Sequence, residues 1–313
     1  MDIVLLFPGQ GSQKPGMGAD LANEFPAARA VFERADAALG TSISKLCFDG
    51  PAEELTLTHN AQPALLTHGA AAWAAVRDSA GASVVAAAGH SLGELTAYHA
   101  AESLSLEDAV RLVRRRGELM YDTGVKRPGT MAAILGDLSR PVEDICADAT
   151  REAGTVVPAN YNSPGQVVIS GEDAAVERAM ALCKEAGAKR AIKLNVSGAF
   201  HSPLMEGASG GLAEALEKTS FSDPRFAVYS NVTAEAVLGS ARAETLLLEQ
   251  LSKPVRWTDE VLAMSKHFPH ALYVEMGPGS VLTGLVKKIA PSVETATCGT
   301  AAEAHKLRER VLQ

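Results

Sequence analysis

The chain has 313 residues, 47% of them hydrophobic and 21% charged, enough apolar surface for one large α/β domain or two packed domains and too much for a disordered or stapled scaffold. With 29 basic and 37 acidic residues the net charge is −8, which argues against a nucleic-acid backbone as the main partner and leaves room for a local basic patch. Cys47, Cys146, Cys183 and Cys298 stand far apart with no CxxC pair, so neither a metal site nor a disulfide framework is expected.

Met1-Asp2 runs directly into an apolar stretch without a basic leader or cleavage site, so no signal peptide is expected. The weakly charged stretch Val84–Leu92 is too short to span a bilayer, and the expected compartment is the cytoplasm. Ile3–Phe7 reads as a buried strand that delivers the Gly-rich loop Pro8-Gly9-Gln10-Gly11-Ser12. Ala19–Leu39 and Gln62–Ala80 carry helical periodicity, and the second is Ala-rich enough to pack closely on a sheet. Val84–Ala88 reads as a second strand that turns sharply at Gly89-His90-Ser91-Leu92-Gly93 into helices over Leu95–Ala101 and Leu106–Asp122.

From Arg127 the pattern changes to strand Thr130–Leu135, helix Arg140–Glu152, strands Val156–Asn160 and Gln166–Ser170, helix Asp173–Ala186 and strand Ala188–Leu194. The order βαββαβ is ferredoxin-like. It divides the chain into an α/β core of residues 1–126 and 197–313 and an inserted subdomain of residues 127–196. The core resumes with helix Pro203–Leu216, strand Phe226–Ser230, helices Ala243–Leu251 and Thr258–Lys266, strand Leu272–Glu275, a Gly277-Pro278-Gly279 turn and helix Val281–Ile289. The expected fold is an α/β-hydrolase-like core with a parallel sheet plus this insertion.

Gly89-x-Ser91-x-Gly93 between a strand and a helix is the pattern of a nucleophile elbow, a strained turn that lifts a hydroxyl above the sheet. The helix start behind Ser91 turns free amides toward any oxyanion formed there, that of Leu92 being best placed. A serine needs a base, and His201, in the loop Ser197–Pro203 between a strand and a helix, occupies a suitable position. His90, directly beside Ser91, is expected to point elsewhere, and the remaining histidines show no metal-ligand spacing. No Asp or Glu is marked as the partner of His201, and a backbone carbonyl is the alternative; this weakens a plain hydrolase reading, because hydrolases of this type place the acid between Ser and His. Arg114, Arg115 and Arg116 are each about 100° apart on their helix, so at most one or two face a pocket. Composition alone makes them a solvated face; a buried one would be a carboxylate fork.

Taken together, Phe7-Pro8-Gly9-Gln10-Gly11-Ser12-Gln13, Gly89-His90-Ser91-Leu92-Gly93-Glu94, Arg116-Gly117-x-Leu119-Met120, Tyr161-Asn162-Ser163-Pro164-Gly165-Gln166, Gly198-x-Phe200-His201-Ser202 and Glu275-x-Gly277-Pro278-Gly279 resemble the malonyl-CoA:acyl carrier protein transacylases. The resemblance runs from about residue 3 to 290 and extends to polyketide-synthase acyltransferases. It implies Ser91 as nucleophile, His201 as base, the amides of Gln10 and Leu92 as oxyanion hole, and the main-chain carbonyl of Gln250 as the partner of His201. It places Arg116 on the malonyl carboxylate and Met120, Phe200 and Asn162 around the substrate. Phe200 matches the malonyl-type rather than the methylmalonyl-type signature, and Tyr121 departs from the glutamine common at that position.

The implied reaction is ping-pong, from malonyl-CoA to the phosphopantetheine thiol of an acyl carrier protein through a malonyl-serine, with no metal or redox cofactor and a monomeric enzyme. Carrier proteins are typically acidic, so Lys189, Arg190 and Lys193, or Lys287 and Lys288, are candidates for a local basic patch. The alternatives are an acyltransferase serving a polyketide synthase or malonate-decarboxylating complex, a serine thioester hydrolase for which Arg116 is dispensable, and a non-catalytic carrier-docking module.

Overall fold

The computed structural model describes residues 1–312. Its strands, in chain order, are β1 (Ile3–Phe7), β2 (Val84–Gly89), β3 (Thr130–Leu135), β4 (Val156–Ser163), β5 (Gln166–Gly171), β6 (Arg190–Lys193), β7 (Ala227–Tyr229), β8 (Ala236–Val237), β9 (Leu272–Glu275) and β10 (Glu294–Thr297). Six form one sheet in the order β10-β9-β1-β2-β7-β8, parallel throughout except for β8.

β1 is apolar at every position because helices cover both faces of the sheet. Ile3, Leu5 and Phe7 face the helices Pro26–Leu39, Thr58–Ala80 and Leu106–Lys126, while Val4 and Leu6 face Trp257–His267 and Val281–Ile289. That alternation is the period of a strand.

The segment from Thr130 to Lys193 builds its own antiparallel sheet, β4-β5-β3-β6, packed on the helices Val142–Ala153 and Asp173–Glu185 around a separate core. The strand order is that of the ferredoxin-like βαββαβ unit. This sheet is tied to the rest of the fold where Asn160 of β4 bridges Val255, just before the helix Trp257–His267, in parallel, and where Tyr161 N–H donates to Val255 O at 2.9 Å and Val255 N–H to Ala159 O at 2.8 Å.

Several elements differ from the sequence reading. The helix expected over Ala19–Leu39 breaks at Phe25, whose extended backbone (φ −116°, ψ 110°) is what the following Pro26 demands. The helix behind Ser91 starts at Leu92 rather than Leu95, and Pro203–Ala208 is a tight 3-10 segment before the α-helix Ser209–Glu217. The helices Ile43–Asp49, Ala52–Thr56 and Ala301–Val311 and the strands β8 and β10 are additional.

Candidate active site

The loop after β1 and the turn after β2 meet at the carboxyl ends of adjacent parallel strands, where open α/β sheets place their sites. Ser91 holds φ 53° and ψ −110°, a left-handed-side conformation that costs a non-glycine residue roughly 1–3 kcal/mol. The turn closes only because its neighbours lack side chains. A Cβ on Gly89 would lie 1.9 Å from the Gly93 carbonyl carbon, and one on Gly93 would lie 2.1 Å from Phe7 O. One on Gly9 would lie 2.6 Å from His90 O, so this glycine lets the first loop lie against the elbow. Leu92 opens the helix Leu92–Ala100, and among the described residues neither its amide nor that of Gln10 has a partner in the protein.

Ser91 Oγ lies 2.8 Å from His201 Nε2. Nδ1 of that ring faces Gln250 O at 2.9 Å and Lys253 O at 3.2 Å. Carbonyls only accept, so Nδ1 carries the proton and Nε2 presents its lone pair to the serine hydroxyl. The tautomer that a carboxylate usually enforces is set here by main chain. Burial, aided by the Arg116 charge, lowers His201 from 6.5 to about 3, so the free base is the resting form.

Arg116 is 2% exposed, although Arg114 is half-buried against Asn60 and Arg115 is exposed near Glu118. Arg116 Nη1 donates to Gln62 Oε1 at 2.7 Å, and Nη2 donates to Gln250 Oε1 at 2.9 Å and to Ser91 Oγ at 3.1 Å. All three partners are neutral, and Nε has none among the described residues. Burial lowers the guanidinium to about 10, which leaves it charged at neutral pH. A desolvated cation without a hydrogen-bonded carboxylate is a receptor for an anion.

These groups face a cavity of about 420 Å³, lined on its polar side by Gln10, Ser91, Arg116 and His201 and on its apolar side by Met120, Met131, Leu194, Val196 and Phe200. Asn162, expected beside the substrate, does not line the cavity. Its Oδ1 sits 2.8 Å from His90 Nε2 and holds that ring, which also packs on Trp257 with ring centroids 5.8 Å apart. His90 thus points away from the hydroxyl, as the elbow geometry requires. Tyr121 is also outside the cavity, edge-on to His59 at 5.2 Å.

Four site residues were not singled out in the sequence. Gln62 holds Arg116, and Asn231 Oδ1 accepts the Ser91 amide at 2.8 Å. Glu94 and Glu260 are fully buried behind them. Only Glu94 had a local signal, since it directly follows the glycine pattern of the elbow. Among the described residues no cluster of three or more metal-ligating side chains occurs, and no helix is long and apolar enough to cross a membrane.

Residues 4–307 match the family described as an acyl transferase domain. The chain is 46% identical over 293 residues to a malonyl CoA-acyl carrier protein transacylase of Bacillus subtilis (strain 168), covering 94% of this chain and 92% of the relative. It is 44% identical over 288 residues to that of Escherichia coli (strain K12), covering 92% and 93%. Among solved structures, an acyl-carrier-protein S-malonyltransferase from Bartonella henselae superposes with a TM-score of 0.95 at 39% identity, covering 100% of both chains. A malonyl-transacylase solved in complex with a type II polyketide-synthase acyl carrier protein superposes with a TM-score of 0.94 at 39% identity, covering 99% of this chain and 100% of that one.

Proposed function

This chain belongs to the acyl transferase domain family, and we propose that it carries a malonyl group from malonyl-CoA to the phosphopantetheine thiol of an acyl carrier protein by way of an ester on Ser91. The observation that carries this reading is one wall on which Ser91 Oγ meets both a neutral His201 and the buried Arg116. The first pair makes a nucleophile; the second selects a substrate that ends in a carboxylate.

In the first half-reaction Ser91 Oγ attacks the thioester carbon while His201 Nε2 takes the hydroxyl proton. The carbonyl oxygen becomes an oxyanion between the amides of Gln10 and Leu92, which have no competing partner among the described residues. The C–S bond then breaks, and the imidazolium returns the proton to the CoA thiolate. In the second half-reaction the carrier's thiol loses its proton to the same nitrogen, attacks the ester, and releases Ser91 with its hydroxyl restored. The first half-reaction exchanges a thioester for an ester and the second exchanges that ester for a thioester, so no electrons are transferred, no cofactor is required of the protein, and the phosphopantetheine arrives on the partner.

The malonyl carboxylate pairs with the Arg116 guanidinium, while an acetyl group leaves that cation without a counter-charge; such asymmetry is worth about 2–4 kcal/mol. Met120 and Phe200 bound the space beside the α-carbon. Residues 1–126 and 197–313 form the catalytic unit, and residues 127–196 a second unit that supplies Met131, Leu194 and Val196 to the cavity. Every group in the scheme comes from one chain, which fits a monomer, and the substrates fit a cytoplasmic enzyme. Of the candidate docking cations, Lys193 is held by Asp173 at 2.8 Å and lies 3.7 Å from Glu177, which leaves exposed Lys189 and Arg190, and exposed Lys287 and Lys288, for an acidic carrier.

Intact mass after brief exposure to malonyl-CoA or acetyl-CoA tests the reading. A malonyl adduct is expected on the wild-type chain, with none on Ser91→Ala and little acetyl adduct. Steady CoA release without acceptor and without an adduct would replace the transferase with a hydrolase.

A further inference from the structure

We propose that Asn231 is the positioning residue of the elbow, a carboxamide staple from Gly89 to Ser91 that is itself braced by Glu94 and Glu260. This inference rests on the transfer reading, with Ser91 as nucleophile.

Asn231 follows β7 and is fully buried. Its Oδ1 accepts the Ser91 amide at 2.8 Å, and its Nδ2 donates to Gly89 O at 2.8 Å. The two contacts fasten the peptides on either side of His90, the stretch in which the backbone enters its left-handed-side conformation. The other Nδ2 proton goes to Glu260 Oε1 at 3.0 Å, the Asn231 main-chain N–H goes to Glu94 Oε2 at 3.1 Å, and its carbonyl accepts from Arg256 N–H at 2.9 Å. Each polar group of the residue is therefore engaged, and the side chain cannot turn without breaking several bonds at once. Gln250 Nε2 ties the same assembly to Ser91 O at 3.2 Å and to Glu94 Oε2 at 2.6 Å. The staple thus also reaches the residue whose carbonyl orients His201.

Two buried carboxyls behind a turn are expensive for stability alone, since apolar side chains of like volume serve packing at least as well. Each leaves one oxygen, Glu94 Oε1 and Glu260 Oε2, without a partner. Their arrangement makes sense as support for an amide that must hold one orientation. If the Ser91 peptide rotates, Oγ leaves the line to His201 Nε2 and the adjacent Leu92 N–H leaves the oxyanion; rate is sensitive to displacements of this kind. Arg116 Nη2 touches this assembly through Gln250 and Ser91, but Nη1 is held by Gln62 outside it, so recognition of the carboxylate is expected to be largely preserved.

The test is single-turnover acylation by malonyl-CoA, followed by intact mass, for Asn231→Ala and Asn231→Asp. Asn231→Ala is expected to lower the saturating rate about thirtyfold while the half-saturating concentration stays within about twofold. Asn231→Asp keeps the size and the acceptor for Ser91 N–H, but donates to Gly89 O or Glu260 only when protonated. Its rate relative to wild type is expected to rise as the pH falls from about 8 to about 5.5. The ionisable groups around position 231 are Glu94 on the helix Leu92–Ala100 and Glu260 on the helix Trp257–His267, with Tyr98, Arg116, His201, Asp259 and Arg256 beyond them. Wild type carries the same groups without the new carboxyl, so the ratio reads what that carboxyl adds, its coupling to Glu94 and Glu260 included. A folded Asn231→Ala that acylates within twofold of wild type, or that loses affinity alone, overturns the proposal. Where that variant does not fold, an Asn231→Asp ratio that is flat with pH overturns it. Absence of an adduct on wild type would instead bring down the transfer reading beneath it.

Discussion

Arg116 Nη2 lies 3.1 Å from Ser91 Oγ, and the other hydrogen-bond partners of that guanidinium are the neutral side chains of Gln62 and Gln250. A buried positive charge thus stands beside the hydroxyl of the proposed nucleophile before any substrate arrives. It lowers the affinity of His201 for a proton in the free enzyme. A bound carboxylate then supplies the charge that offsets it, so substrate entry itself makes the imidazole a better proton acceptor.

Arg116→Ala is expected to lower kcat/KM for malonyl-CoA by about 10²-fold to 10³-fold, roughly 3–4 kcal/mol, while acetyl-CoA acylates Ser91 at least as well as before. Arg116→Lys should recover little, because one ammonium cannot span Gln62, Gln250 and a ligand. Equal losses for both thioesters in the adduct assay would remove Arg116 from selectivity.

The pH response follows from His201. A general base works when unprotonated, and burial first, then Arg116, lowers this one from 6.5 to about 3. Single-turnover acylation should therefore hold its level below pH 6.5, where an ordinary histidine switches off; a fall centred at 6.5 would mean that burial does not depress His201.

Stability runs in the opposite sense to that flat profile. His68 is fully buried, with Nε2 3.0 Å from Gly299 O, and burial lowers it from 6.5 to about 4. Its folded value lies below its unfolded value, so its contribution is complete above 6.5 and is lost as the pH falls toward 4, about 3 kcal/mol by that point. Glu94, raised by burial from 4.5 to about 7, acts with the other sign: its contribution is complete below 4.5 and is lost as the pH rises through 7. Melting scans should show a steep acid limb that His68→Gln makes shallower; an unchanged limb would mean that His68 titrates normally.

Phe200 lines the cavity one residue before His201 and is 6% exposed. Phe200→Ala opens space at the α-carbon and should raise the ratio of methylmalonyl to malonyl transfer about tenfold. Competition between the two thioesters, read as adduct masses, checks it, and an unchanged ratio would place the discrimination elsewhere.

The parts of the site that were legible are those whose chemistry is local. Gly89, Ser91 and Gly93 state their own strained turn, and three consecutive arginines at helical spacing guarantee different environments, of which Arg116 proved the buried one. Gln62, Asn231 and Glu260 were not legible because their roles depend on long returns of the chain: Asn231 meets the Ser91 amide from 140 positions away, and Gln62 meets Arg116 from 54. Asn162 illustrates the same limit, since its motif marks it but only the register of β4 turns it toward His90 rather than into the cavity. The helix Ala301–Val311 differs. Its capping box, Thr300 with Glu303, is local and stands in the sequence as T-x-x-E.

The bridge between Asn160 and Val255 has a consequence for engineering. The edge strand of the ferredoxin-like sheet, β4, is hydrogen-bonded to Val255, at the end of the stretch in which the carbonyls of Gln250 and Lys253 orient His201. The insertion is therefore not an exchangeable cassette. A chimera that grafts residues 130–193 from a relative inherits a seam along Val255, and its His201 is aligned only as well as the foreign strand fits that seam.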